Sequence, residues 1–562
     1  MLRIVLAQIN TTVGDLEGNY QKIIDYILRG RQVSVDVIVF PEIAVTGYPP
    51  EDLLLKKYFV ADNIKILKKI IVQTTNITAI VGFVDRNKKG ELFNAAAVMD
   101  NKKLIGVYHK EALPNYGVFD EKRYFLAGEN NPIFVLDHMK MGVSICEDIW
   151  TPHGPCEAQA KAGVQILINI SASPYHFEKW KEREKILRQW VKKHKVFVCY
   201  SNLVGGQDEL VFDGSSMILN PQGKIVARGL QFEEDLVIAD IDVRPARGTK
   251  RLRGLQVLSI PKIVHQESRL PIRGKVVPHL QPIEEMFKAL VLGTRDYVIK
   301  NGFKKVAVGL SGGIDSSLVA VIAKEAIGKE NVVGITMPSQ FSSSETQSDA
   351  KQLAKNLGIR CVEVPIKAIF DSYVQALKND FAGLPFNITE ENLQARIRGD
   401  ILMAFSNKFG WLVLTTGNKS EIAVGYCTLY GDMSGGFAVI KDVPKTTIYA
   451  MAEFVNKKFG NVIPESVLKR APTAELKENQ KDQDTLPPYE VLDPILQAYV
   501  EEHRSLFDIA KKTKDMKTIQ DVVKMVDRSE YKRRQAPPGV KITPRAFGKD
   551  WRLPITNKYK GY

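Results

Sequence analysis

Short runs of consecutive apolar residues, many of them β-branched, recur through the first 242 positions. Examples are Ile4-Val5-Leu6-Ala7, Val37-Ile38-Val39-Phe40, Ala79-Ile80-Val81-Gly82-Phe83, Ile166-Leu167-Ile168 and Val196-Phe197-Val198. Runs of this kind predict short strands. Amphipathic stretches at 20–30, 55–75 and 178–194 predict helices between them. Residues 1–242 therefore read as an α/β domain with its own core. From residue 281 the pattern becomes a regular alternation, with strands expected at 305–310, 332–337, 360–365 and 411–416 and helices between. That order predicts βαβ crossovers and a parallel sheet, with ligand at the carboxyl ends of its strands. Residues 243–280 are punctuated by Pro245, Pro261, Pro271 and Pro278 and read as a linker that docks on a neighbour. No apolar run approaches the ~18 residues of a membrane span. The opening MLRIVLAQINTT reads as a first strand rather than a signal peptide.

One stretch breaks the pattern with chemistry. Val306-Ala307-Val308-Gly309-Leu310 runs into Ser311-Gly312-Gly313-Ile314-Asp315-Ser316-Ser317, and then into the helical run Leu318–Ala323. A strand turning through two glycines onto a helix N-terminus is built to hold an anion, since first-turn N–H groups and the helix dipole point at the guest. No lysine follows the glycines, so this is not the phosphate loop ending in Gly-Lys-Ser/Thr. An acid, Asp315, stands in the loop instead. A carboxylate beside phosphates repels them unless a cation lies between, which marks Asp315 as a magnesium ligand. SGGIDSS resembles the pyrophosphate loop of the ATP pyrophosphatase family. The resemblance implies cleavage of ATP between its α and β phosphates and adenylation of an acceptor, with Gly309 and Leu310 through Ser317 around the nucleotide.

Three residues of the first half gain meaning as a set: Glu42 in VIVFPE, Lys110 in VYHKEALPNYGVFDEKRYF, and Cys146 in GVSICEDIW. Singly they fit a strand-end acid, a surface lysine and a core cysteine. A thiol needs a base to become a nucleophile, and a cation can hold the oxyanion that follows. FPE, HKEALPNYGVFDE and CEDIW match, in order, the three motif regions of the nitrilase superfamily. That resemblance implies a four-layer α-β-β-α sandwich, with Glu42 as general base, Lys110 as oxyanion stabiliser and Cys146 as nucleophile. Its glutaminase branch further implies Tyr116, Ser173 and Lys179 as contacts to glutamine.

Charge sharpens the picture only locally. The net charge is +14, which raises nucleic acid as a partner. Nine Lys/Arg against one acid lie between Val243 and Pro278, and ten against two between Arg528 and Tyr562, so the remainder is near neutral. Such local charge suits polyphosphate ligands and subunit contacts as well as RNA, and no RNA-binding module is present. The five cysteines form no CxxC pair, which suits a reducing cytoplasm.

The second half chooses among acceptors. ENLQARIRG (391–399), TTGNKSE (415–421), LYGDMSGGFAVIKDVPKT (429–446) and LPPYEVLDPIL (486–496) are similar to stretches of the NAD synthetase family. That resemblance implies an ATP-pyrophosphatase-type α/β domain over 281–562. It implies ATP near Thr416, Lys445 and Thr473, magnesium between Asp315 and Glu421, and deamido-NAD near Asn392, Arg396, Glu421 and Lys532. Joined to the nitrilase-like half, it implies the glutamine-dependent branch: deamido-NAD is adenylated by ATP and amidated with ammonia from glutamine. The family also implies a cytoplasmic homo-oligomer assembled through the synthetase domain, with no nucleic-acid or membrane partner. A tRNA-modifying adenylating enzyme, or another glutamine-dependent ligase, would share the SGGIDSS loop and remains open at this point.

Overall fold

The structure, a computed structural model, describes residues 1–243, 255–261, 269–478, 480–513 and 515–559. It divides into two compact units, Met1–Gln207 with Val211–Leu280, and Asp208–Leu210 with Gln281–Tyr562.

In the first unit the chain lays down β1 (Leu2–Gln8), β2 (Val37–Val39), β3 (Thr78–Arg86), β4 (Leu92–Asp100) and β5 (Lys103–His109). It continues with β6 (Ile133–Leu136), β7 (Met139–Ile145), β8 (Ile166–Ser171) and β9 (Phe197–Asn202). A ribbon of β10 (Val204–Gln207) and β11 (Leu210–Asp213) precedes β12 (Met217–Leu219), β13 (Ile225–Arg228), β14 (Asp235–Ile241) and β15 (Val257–Ile260). Two sheets result, in the orders β14-β1-β2-β3-β4-β5 and β13-β12-β9-β8-β7-β6-β15. Successive residues of a strand point to opposite faces, and β1 uses both. Leu2, Ile4 and Leu6 enter a core shared with Val143, Ile145 and Ile168 of the second sheet. Val5 and Ala7 meet Ile23 and Ile27 of α1 (Leu16–Gln32) and Ile66 and Ile70 of α2 (Lys57–Ile71). On the far face of the second sheet Leu167 and Val198 join Cys156 of α3 (Pro155–Lys161) and Leu187, Trp190 and Val191 of α4 (Lys179–His194). The layers are thus α-β-β-α, which is why the strand runs are apolar without alternation.

The described part of 243–280 belongs to this unit. Strand β15 runs parallel to β6, Ile272 N donates to Asp240 at 2.8 Å, and Arg228 N donates to the Lys275 carbonyl at 2.9 Å. In β15 only Ile260 is buried, so the apolar signal of a strand is nearly absent there. Residues 244–254 and 262–268 of the expected linker lie outside the described residues.

The second unit carries β16 (Val306–Gly309), β17 (Val332–Thr336), β18 (Arg360–Glu363), β19 (Leu412–Thr415) and β20 (Phe437–Ala438), all parallel, in the order β18-β17-β16-β19-β20. The chain leaves β16 toward β17 and β18 and later returns on its other side as β19. A crevice opens at such a reversal of strand order, outside the carboxyl ends of β16 and β19. Helices α5 (Pro282–Lys300) and α6 (Ile314–Ile327) pack together; α7 (Ser344–Leu357), α8 (Lys367–Leu377), α9 (Ile388–Phe409), α10 (Lys419–Val424) and α11 (Lys445–Phe459) follow. Phe370 and Ile397 cover one sheet face over Ala307, Val333 and Val413. Helix α6 starts at Ile314, four residues before the apolar run, so Asp315, Ser316 and Ser317 form its first turn. Helices Tyr489–Leu496 and Met516–Arg528 close on α10 around Ile422, Leu492, Val523 and Trp551. Among the described residues no helix is long and apolar enough to cross a membrane.

Gly82 in β3 lies directly against the backbone that carries Glu42. A Cβ there would sit 2.3 Å from Ile43 N and 2.4 Å from the Pro41 carbonyl oxygen. Main chain cannot yield as a side-chain tip does, so Gly82→Ala is expected to destabilise the first unit by about 1–3 kcal/mol. Denaturant unfolding of the variant checks this; an unchanged midpoint would mean that the contact is looser than it stands.

Candidate functional sites

The first site lies at the strand ends of the sandwich. Glu42, three residues past β2, is fully buried. Its Oε1 accepts from Lys110 Nζ at 2.7 Å and Asn94 Nδ2 at 2.7 Å, and its Oε2 from Ala172 N at 2.8 Å. Lys110 is placed as β5 ends, and its ammonium also donates to Glu121 Oε1 at 2.9 Å. Tyr48 OH donates to the same oxygen at 3.0 Å. Burial alone would discharge this lysine; Glu121 and Glu42 outweigh it and hold the ammonium well above its ordinary pKa. Burial, opposed by Lys110, pushes the Glu121 carboxyl up to about 7.

Cys146 follows β7 in the left-handed region, with φ 42°, and opens the tight turn Cys146–Ile149. A non-glycine residue held there stores strain and throws its side chain off the strand. Asp148 secures the turn. Its Oδ2 accepts from Ile145 N at 2.8 Å and Tyr108 OH at 2.7 Å, and its Oδ1 from Ala112 N at 2.8 Å and Glu111 N at 3.2 Å. One carboxylate thereby ties the cysteine turn to the segment leaving Lys110. Burial, and then the charge of Glu42, push the Cys146 thiol well above its usual value, with Lys110 opposing them.

The residues expected around glutamine stand nearby. Tyr116 OH donates to Glu147, next to the cysteine, at 3.0 and 3.1 Å. Ser173 is fixed by Arg183, whose Nη2 donates to its carbonyl at 3.0 Å while Nη1 pairs with both oxygens of Asp213 at 2.6 and 2.8 Å. Lys179 begins α4, its ammonium 4.7 Å from the Trp150 ring centre and 2.5 Å from Glu182 Oε2.

The second site is the crevice of the parallel sheet. Gly312 has φ 80°, and a Cβ on it would lie 2.1 Å from the Thr346 carbonyl oxygen, so glycine is required for the turn. Ser316 and Ser317 donate their hydroxyls back to the Gly313 carbonyl at 3.0 and 2.8 Å. No side chain caps α6, which leaves its first N–H groups available to a guest. A cavity of about 270 Å³ is lined by Gly309, Leu310, Ser311, Met337, Arg398 and Thr416 among others. A second, of about 180 Å³, is lined by Ser311 to Asp315, Glu421, Lys445, Arg470 and Thr473 among others. Between Asp315 and Glu421 sits a cation: Lys445 Nζ donates to Asp315 Oδ2 and lies 3.4 Å from Glu421 Oε1. Asn418 holds both acids from behind, Nδ2 to Asp315 Oδ1 at 3.0 Å and N to Glu421 Oε2 at 3.3 Å. Burial pushes the Glu421 carboxyl up to about 8, against the pull of Lys445. Asn392, Arg396 and Lys532 converge on the 425–429 segment. Asn392 Oδ1 accepts from Thr428 at 2.7 Å, Arg396 Nε donates to the Leu429 carbonyl at 3.3 Å, and Lys532 Nζ to those of Gly425 and Cys427 at 2.7 and 2.8 Å.

Residues 3–251 match the carbon-nitrogen hydrolase family and residues 286–536 the NAD synthase family. A glutamine-dependent NAD(+) synthetase of Thermotoga maritima is 50% identical over 572 residues, spanning 100% of this chain and 99% of that one. The enzyme of that name from Aquifex aeolicus is 47% identical, spanning 100% of both. The chain belongs to the glutamine-dependent NAD(+) synthetases. A solved structure of such a synthetase from Acinetobacter baumannii, described in complex with adenosine diphosphate, aligns over 99% of this chain and 98% of that one at 41% identity and a TM-score of 0.75.

Glu121, Asp148 and Asn418 also build these sites. Each lay inside a stretch quoted for another residue. Glu121 follows Asp120 and precedes Lys122 and Arg123, so it reads as one charge of a solvated run. Asn418 was findable, because Asn-x-x-Glu before an apolar pair is a capping box, and Asn418 with Glu421 forms one.

A thiol held above its usual range stays protonated at neutral pH, and its thiolate fraction grows as pH rises. Alkylation of Cys146 by iodoacetamide, followed by mass spectrometry of its peptide, is expected to accelerate into the alkaline range without levelling off by about pH 8.5, the ordinary thiol pKa. A plateau below that pH would reveal a thiolate already formed in the resting site.

Proposed function

We propose that this chain amidates deamido-NAD to NAD, consuming ATP and taking ammonia from glutamine. The observation that carries the reading is the presence of both constellations in one chain matched end to end by glutamine-dependent NAD(+) synthetases. At the first site the Cys146 sulfur attacks the carboxamide carbon of glutamine while Glu42 takes the thiol proton. Lys110 and the backbone N–H after the cysteine stabilise the oxyanion. Glu42 passes its proton to the leaving nitrogen, which departs as ammonia, and water then cleaves the γ-glutamyl thioester. Glu121 keeps Lys110 charged and in place. Tyr116, Ser173 and Lys179 hold the substrate.

At the second site the Gly309–Ser317 loop and the α6 N-terminus cradle the phosphates, with Thr416, Lys445 and Thr473 completing the ATP site. Asn392, Arg396, Glu421 and Lys532 hold deamido-NAD. Its nicotinate carboxylate displaces pyrophosphate from the α-phosphorus, and ammonia then displaces AMP from the acyl adenylate. Among the described residues no three side chains of the kind that ligate metals converge. Asp315 and Glu421 do face one cation, and their carboxylates are the hard oxygen donors that would hold a magnesium ion there. The two residues fit that role, in which the ion would neutralise charge on the triphosphate.

The test is NAD formation with glutamine and, separately, with ammonium. Cys146→Ala is expected to lose glutamine-dependent synthesis by about 10³-fold or more, since binding alone does not replace covalent catalysis. It should retain the ammonium-dependent reaction, rising with pH because only the unprotonated amine attacks. Asp315→Ala is expected to lose both syntheses and keep basal glutamine hydrolysis. Undiminished glutamine-dependent synthesis by Cys146→Ala would reject the triad. Full activity of Asp315→Ala would reject the metal assignment.

A further inference from the structure

We infer that Lys445 is a resident counter-ion that excludes divalent metal from the second site until nucleotide arrives; the inference rests on the adenylation reading above. The ammonium occupies the position that a metal between Asp315 and Glu421 would take, bonded to one acid and 3.4 Å from the other. It is nearly sealed, its side chain 3% exposed against 18% for each acid. Asn418 binds the remaining oxygen of each acid, so both stay aimed at the same point whichever cation fills it.

The lysine is anchored at one end only. It is the first residue of α11, and its N–H donates to Ser420 Oγ at 2.9 Å, which fixes the backbone. The stem beyond is flexible and carries a point charge without directional demands. The Tyr489 ring lies 5.5 Å from the ammonium, and Asp315, Glu421 and Asp482 all act on it electrostatically. A free divalent ion meets carboxylates already compensated by a charge that has nowhere better to go. A triphosphate at the α6 terminus changes that balance. Its oxygens offer Lys445 a stronger partner in the same cavity, and the position the ammonium leaves is open to the cation the phosphates bring. Metal and nucleotide therefore enter as a complex, and metal alone does not occupy the site.

The test is manganese binding to the full-length protein without substrate, by electron paramagnetic resonance and calorimetry. Wild type is expected to show no uptake at this site in the free state, and to take up one manganese on adding an α,β-methylene ATP analogue. Lys445→Met is expected to bind manganese at least about tenfold more tightly than wild type without nucleotide, because Asp315 and Glu421 are left without their counter-ion; Lys445→Gln carries the same test where Met fails to fold. Lys445→Arg should restore exclusion, and Asp315→Asn added to Lys445→Met should abolish the gain. Manganese binding by free wild type as tight as by Lys445→Met would overturn the inference while leaving the metal assignment standing. Failure of the analogue to bring manganese to wild type, or a gain that survives Asp315→Asn, would overturn the metal assignment and the inference with it.

Discussion

An ammonium group taken out of water must bring its counter-charges with it, and at Lys110 that requirement fixes three separate segments of chain. Glu42 arrives from the end of β2, Glu121 from the loop after β5, and Lys110 itself from the strand end between them. Removing Lys110 would leave the two acids facing each other without a counter-charge, so both depend on it. The cluster then sets the surroundings of Cys146, whose thiol feels the carboxylates and the ammonium in opposite senses. Asp148 adds the mechanical link, joining the cysteine turn to the backbone after Lys110.

The same motif, a lysine between two carboxylates, recurs in the second unit with the opposite consequence. Around Lys110 the cation and Glu42 are wholly enclosed. Around Lys445 the acids are partly open and a cavity adjoins them. Enclosure makes the first lysine a fixed charge, and exposure of its partners makes the second a movable one.

Legibility in the sequence followed burial. Strands β1, β2, β3, β8 and β9 are legible because sandwiching between layers leaves them apolar on both faces. The glycine loop was legible because its turn admits no other residue at Gly312. Strand β15 escaped notice, since hydrogen bonds to β6 rather than side-chain burial hold it. Helix α6 starts ahead of its apolar run because Asp315, Ser316 and Ser317 carry no apolar signal, although they are helical. Positioning carboxylates such as Glu121 and Asp148 were hidden for a related reason: an acid reads as solvent-facing until the fold supplies its partners.

Ser316 and Ser317 spend their hydroxyls on the Gly313 carbonyl, Ser311 Oγ pairs with Ser316 Oγ at 3.1 Å, and Gly312 has no room for a side chain beside Thr346. What remains for an anion is backbone N–H, which every amino acid but proline supplies. An inhibitor gripping those groups would leave resistance mutations little to act on. Exchanging the serines would not remove its contacts, and exchanging the glycine would break the turn the enzyme itself requires.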